Sequence, residues 1–229
     1  MTQRKSKLNQ ADDTFIPDHR IEWEPSPRWV RVRLGGETIV DSKHVMLMRE
    51  KGHLPVYYFP QEDVRMDLLV ENDFITFCPH KGDASHWTVK VGDRVAENAA
   101  WSYPNPKPDW APIKGYVSFY WSKMDHWYEE DEEVFVHARD PYKRIDVLPS
   151  SRHVRVVIDE VTVADSQRPH LLFETGLPTR YYIPQDDVRM EYLERSDSQT
   201  RCPYKGIAVY WSVKIGDAVY KDLVWGYLD

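Results

Sequence analysis

The sequence predicts an all-β protein made of two homologous small domains, each a β-barrel or a tent-like β fold. Three observations carry that expectation. The run YYFPQEDVRM (Tyr57–Met66) and the turn CPHKG (Cys78–Gly82) recur as YYIPQDDVRM (Tyr181–Met190) and CPYKG (Cys202–Gly206), with every matched residue displaced by the same 124 positions. About four residues in ten agree when 20–103 is laid on 144–227, which marks an internal repeat of one domain. Between these runs lie many short alternating segments bounded by turn residues, the pattern of small β folds.

Taken in order, residues 1–17 are polar and are expected to be a loose tail. The first repeat spans 18–105, a connecting segment 106–140, and the second repeat 141–229. Trp29–Leu34 alternates Val30, Val32 and Leu34 against Trp29, Arg31 and Arg33, as a half-buried strand does. Gly35-Gly36 turns it into a return strand at Thr38–Val40. The second copy runs Val154–Ile158, turns at Asp159-Glu160, and returns along Val161–Ala164. His44–Glu50 is too short an apolar run to separate strand from helix.

Tyr57–Phe59 is strand-like and is stopped by Pro60. Asp63–Leu69 alternates Val64, Met66 and Leu68 with Asp63, Arg65 and Asp67, which on a strand puts acid, arginine and acid on one face. A short helical turn is the competing assignment. Phe74–Cys78 and Ala84–Val91 are strands separated by the Pro79–Gly82 turn. Gly92-Asp93 and Gly216-Asp217 are hairpin turns leading to last strands that end at Trp101 and Tyr103, and at Trp225 and Tyr227. In the connecting segment four prolines between Pro104 and Pro112 make a stiff crossing. Ile113–Trp121 is a strand, and Lys123–Glu133 is expected as a short helix with an acidic end.

Composition bounds the function. The formal charge is −7 and the pI about 5.7. Nucleic acid is not an expected partner, because nonspecific affinity for it rests on Lys and Arg neutralising phosphates. No stretch approaches the 18 or so apolar residues that span a bilayer, and no apolar run follows the charged N-terminus as in a signal peptide. A cytoplasmic protein without membrane partners is expected. Cys78 and Cys202 are repeat equivalents, one per domain, which suits reduced thiols rather than a disulfide framework.

The doubled pattern resembles domain-of-unknown-function family 427. The likeness is carried by Tyr-Tyr-x-Pro-x-x-Asp-Val-Arg-Met, by Cys-Pro-x-Lys-Gly, by the Trp strand that follows and by the terminal Trp-x-Tyr. It covers nearly the whole chain, twice. The first copy departs from the pattern with His80 in place of Tyr204, and with His86 where the second copy has Tyr210. The resemblance implies a compact, mostly β domain without an established activity, and it brings a nucleotidyltransferase label. The chain has no GxxxxGK[ST] phosphate loop, and no Gly-Ser pair followed by paired aspartates.

Three residue sets carry candidate chemistry. Cys78 with Lys81, and Cys202 with Lys205, pair a thiol with an ammonium on a tight turn; a lowered thiol pKa there would make a nucleophile. The plain alternative is a buried cysteine ending a strand. Asp63 with Arg65, and Asp187 with Arg189, would grip a carboxylate or phosphate, or else pin a strand as a salt bridge. Tyr58 with Trp101, and Tyr182 with Trp225, would wall an aromatic cavity, since only one of two adjacent strand tyrosines faces a given side.

No metal site and no cofactor is expected. Cys78, His80 and His86 are too few, the second copy has Tyr204 and Tyr210 in place of the two histidines, and structural zinc takes four ligands. The leading expectation is a small-molecule ligand bound in a polar and aromatic pocket of each repeat. An enzyme using the Cys/Lys or Asp/Arg set is the alternative, and an interaction module docking through Met124–Glu133 the third.

Overall fold

The computed structural model describes residues 20–228. The tail expected at 1–17 lies outside them. The first part of the chain forms strands β1 (Ile21–Pro25), β2 (Val30–Leu34), β3 (Glu37–Ser42), β4 (Met46–Glu50), β5 (Val56–Pro60), β6 (Leu69–Cys78), β7 (Gly82–Val91), β8 (Arg94–Ser102), β9 (Tyr116–Phe119), β10 (His126–Glu129) and β11 (Glu132–Glu133). The second part forms β12 (Ile145–Pro149), β13 (Val154–Ile158), β14 (Val161–Ser166), β15 (His170–Glu174), β16 (Arg180–Tyr182), β17 (Leu193–Cys202), β18 (Gly206–Ile215) and β19 (Ala218–Tyr227). The protein is all-β, its helical content confined to short 3-10 turns. The strands make open sheets, not a closed barrel.

Two sheets build the first repeat. A seven-stranded sheet runs β1-β4-β5-β9-β8-β7-β6, and a four-stranded sheet runs β11-β10-β2-β3. Val30, Val32 and Leu34 are buried along β2 while Arg31 and Arg33 point away, as the alternation requires. Between the sheets those residues meet Ile39, Val40, Phe59, Val89, Val117 and Trp127 in the main core. Tyr57 and Phe59 face this core. Tyr58 faces the other side of the sheet, in a second cluster with Met48, Ala84, Tyr103 and Ile113.

The two ambiguous segments resolve differently. Met46–Glu50 is a strand, pairing with both β1 and β5. Asp63–Leu69 is not a strand; it is two 3-10 turns, Gln61–Asp63 and Met66–Leu68, around a single bridge from Val64 to Val40. The chain is leaving one sheet here and touching the other. The Arg65 N–H donates to the Ile39 carbonyl at 2.8 Å, and Arg189 repeats this with Val163 at 2.9 Å.

The helix expected over Lys123–Glu133 is instead the hairpin β10–β11. Its register places Trp127 opposite Val32 and Glu129 opposite Val30. Trp127 stacks on Trp121 at 4.1 Å and is only 3% exposed. Tertiary packing overrides local helix preference because a buried indole gains more from the core than a short helix gains from its own hydrogen bonds. With Trp127 buried in its own fold, Met124–Glu133 offers no exposed docking patch of the kind the interaction-module reading required.

The second repeat reproduces the pairings of β12–β15–β16, β13–β14 and β17–β18–β19 as three separate sheets. It has no counterpart of β9, β10 or β11 among the described residues. The connecting segment reaches it through the second CPxKG turn. Arg139 Nε donates to the Pro203 carbonyl at 2.7 Å, and the Asp140 N–H donates to the Tyr204 hydroxyl at 2.6 Å.

The hairpin between β2 and β3 turns through Gly35 and Gly36 with φ of 58° and 83°. Its copy uses Asp159 and Glu160 at φ of 45° and 63°. Left-handed backbone is free for glycine and costs other residues roughly 1–2 kcal/mol. Replacing Glu160 by Gly is therefore expected to stabilise the protein by about 1 kcal/mol, read as a higher midpoint in urea unfolding.

Candidate functional site

The CPxKG turn sets a lysine into the fold rather than into water. Gly82 has a φ of +100°, and a Cβ there would sit 3.5 Å from the Asn105 carbonyl oxygen. The turn reverses β6 into β7 and drops Lys81 inward, where its ammonium donates to Glu50 Oε2 at 2.8 Å. Lys205 repeats the contact with Glu174 Oε2 at 2.5 Å, and Lys143 adds a second cation at 3.3 Å. Burial raises the Glu174 carboxyl, but the hydrogen bonds and charges of Lys205 and Lys143 outweigh it and hold the group below its ordinary value.

Around the first pair opens a cavity of about 220 Å³. Glu50, Lys81, His53 and Thr76 give it polar edges; Tyr58, Trp101, Tyr103 and Tyr120 wall it with rings; Met48, Leu54 and Val56 complete it. Trp101 Nε1 donates to the Tyr58 hydroxyl at 3.2 Å, and the Trp101 and Tyr120 rings lie 4.5 Å apart. Burial pushes the Tyr58 hydroxyl upward. Burial raises Tyr103 too, helped by the neighbouring Cys78 and Glu50. Both therefore stay neutral and able to donate hydrogen bonds across the physiological range. Cys78, half-buried, packs against the same cluster beside Tyr103 and does not line the cavity.

Of the residues singled out in the sequence, Tyr58, Lys81 and Trp101 come together on this cavity. Asp63 and Arg65 lie elsewhere and do not pair with each other. Asp63 accepts from Ser42 Oγ at 2.7 Å and faces His44 Nδ1 at 3.1 Å. Asp187 accepts from Ser166 Oγ at 2.7 Å and from Arg168. Each aspartate thus ties its 3-10 turn to the end of β3 or β14. Arg65 forks onto Asp67 at 2.7 and 2.8 Å, and Arg189 onto Glu191 at 2.9 Å, both in the open.

In the second repeat Tyr182 and Trp225 line a wider, mostly apolar groove of about 490 Å³. Tyr227 on the same groove is pushed up to about 12, first by burial and then by Tyr182. Cys202 is half-buried, and Lys205 is held by Glu174.

Sequence reasoning missed the partners. Glu50 and Glu174, like Ser42 and Ser166, stand at the same 124-residue offset as the prominent motifs, and that offset was the available signal. It also missed a buried network: the Tyr57 hydroxyl donates to Glu129 Oε1 at 2.8 Å, and Arg28 Nη1 donates to Glu129 Oε2 at 2.8 Å. Glu129 has no repeat equivalent to advertise it. No group of three or more His, Cys, Asp or Glu placed to hold a metal ion occurs among the described residues. His86 is fully buried, 3.3 Å from the Tyr120 hydroxyl, and burial lowers its pKa.

Lys81→Met takes the ammonium away from the partly buried Glu50 carboxylate, a defect expected to cost about 1–3 kcal/mol. Lys81→Met with Glu50→Leu is expected to recover most of the loss in urea unfolding. For Glu174 the folded pKa lies below the unfolded one, so its contribution is complete above the ordinary glutamate range and is lost as pH falls through the folded value. The stability gap between wild type and Lys205→Met should accordingly be widest at neutral pH. It should close in acid, measured as unfolding midpoints from about pH 7 down to pH 3.

No helix among the described residues is long and apolar enough to cross a membrane. No curated protein matches the chain. The family model described as domain of unknown function DUF427 matches it twice, over residues 22–130 and 146–229. The two matches take in both CPxKG turns, both Lys–Glu pairs and both aromatic strands, and the chain belongs to family DUF427, whose domain it carries in tandem.

Proposed function

We propose that the first repeat binds a compact, planar small molecule in the cavity over the Lys81–Glu50 pair. The observation that carries this reading is internal. Six of the cavity's eleven lining residues recur in the second repeat: Glu50 as Glu174, Tyr58 as Tyr182, Thr76 as Thr200, Lys81 as Lys205, Trp101 as Trp225 and Tyr103 as Tyr227. A fold needs apolar filler, and many combinations of it serve equally. A set of three hydroxyls, one indole N–H and an ion pair around an open space is a recognition surface. The rings would sandwich a flat ligand, and the tyrosine hydroxyls and Thr76 would orient its polar edge.

The cavity favours binding over thiol catalysis. Lys81 is engaged by Glu50, and Cys78 packs against the Tyr58–Tyr103 cluster without lining the cavity. The nucleotidyltransferase label gains no support from this site, whose carboxylate, Glu50, is engaged by Lys81 and belongs to no cluster of metal-binding side chains among the described residues. In this reading each repeat is a separate module, with the second site altered by the loss of Tyr120 and by Leu177 in place of His53.

A panel of phenols, aromatic carboxylates and nucleobases titrated against tryptophan fluorescence is expected to give saturable binders. Thr76→Trp, at an exposed strand position on the cavity rim, should plug the space and weaken them at least tenfold, about 1.4 kcal/mol, with unchanged unfolding. A panel without a binder, or one indifferent to the plug, refutes the reading.

A further inference from the structure

The groove of the second repeat is the surface that the first repeat covers with its own chain. In the first repeat β9 lies between β5 and β8, with Val117 opposite Phe59 and Ser102, and Phe119 opposite Ala100. The chain then turns and lays β10 along β2. The second repeat has the receiving strands, β16, β19 and β13, and no strand among the described residues is seated on them. Their outer backbone edges have no strand partner among the described residues, which an isolated fold avoids.

The side chains record the same difference. Tyr57 is 2% exposed, and its equivalent Tyr181 is 50% exposed. Val32 and Ala99 are both 0% exposed, against 38% for Val156 and 47% for Leu223. With Val163, Val188 and Trp225 they line the groove of about 490 Å³. A continuous apolar trough rimmed by open strand edges is the form a strand-receiving site takes.

Charge says what kind of strand it receives. In the first repeat Arg28 and the Tyr57 hydroxyl hold Glu129, and Arg31 holds Asp131 at 3.0 Å and the Glu130 carbonyl at 2.6 Å. The second repeat carries the same three groups as Arg152, Tyr181 and Arg155. None of these side chains has a hydrogen-bond or ion-pair partner among the described residues. The cationic clamps are in place and the carboxylates they would clamp are not.

We propose that the second repeat is a docking site for an acidic–aromatic polypeptide arm. The arm enters as a strand between β16 and β19, sends alternate apolar side chains into the groove, and turns to lay carboxylates against Arg152 and Arg155. Segment 113–133 shows the required chemistry, because it performs this task on the first repeat.

The test uses the full chain and a fluorescent synthetic peptide of residues 113–133. Anisotropy is expected to show saturable binding of one peptide per chain, and hydrogen exchange to slow in Arg180–Tyr182 and Ala218–Tyr227. The double variant Arg152→Glu, Arg155→Glu alters two exposed side chains. It should fold normally by circular dichroism and bind at least tenfold more weakly. A peptide carrying Glu129→Lys and Asp131→Lys should recover binding to that variant. Absence of binding overturns the proposal, as does binding that protects β5 and β8 and ignores the charge reversal. Light scattering that shows a dimer with β16 and β19 already protected overturns it as well, since the groove would then belong to a second copy.

Discussion

The first repeat depends on one strand, β9. It pairs with β5 on one side and β8 on the other, so a four-residue segment joins the two halves of a seven-stranded sheet. Ser118 inserts its hydroxyl onto the Tyr57 carbonyl at 2.7 Å, satisfying a buried acceptor within the sheet. Val117 and Phe119 close the main core from beneath β2. Without this strand the same sequence pattern gives two three-stranded sheets and an open trough, as the second repeat shows.

The cavity is a by-product of that closure. β9 leads directly to Tyr120, whose ring packs on Trp101 and completes the aromatic wall. The sheet then has two unequal faces. One is filled by the four-stranded sheet, and the other carries a smaller cluster beside an opening over Lys81 and Glu50. A buried ion pair contributes little net stability compared with apolar filler of equal size. Core strength alone therefore does not account for the Lys–Glu pair that recurs in both repeats.

Within the prominent motif the physical roles divide sharply. The aspartates bind a serine hydroxyl and fasten a 3-10 turn, the arginines fork onto an acid two residues on, and the lysines go inward to a glutamate. Residues that look like one cluster in the sequence thus serve three places in the fold. Adjacent Tyr57 and Tyr58 divide the same way, one reaching Glu129 in the main core and the other Trp101 across the sheet.

The amino-acid sequence was enough for the duplication, the all-β class and the opposite facing of Tyr57 and Tyr58, because these follow from repeat offset and from the two-residue period of a strand. It also pointed to Tyr58, Lys81 and Trp101. Local pattern left Asp63–Leu69 open between a strand and the helical turns it forms, and misled at Lys123–Glu133, where a helix was expected. There the backbone conformation is set by what the segment packs against: Val64 reaching across to Val40, and Trp127 filling the space beside Phe59. That Lys81 meets Glu50, 31 residues away, and that Arg28 meets Glu129, 101 residues away, emerged with the folded chain. Such pairings depend on which strands lie side by side, and strand order follows from closing the whole core.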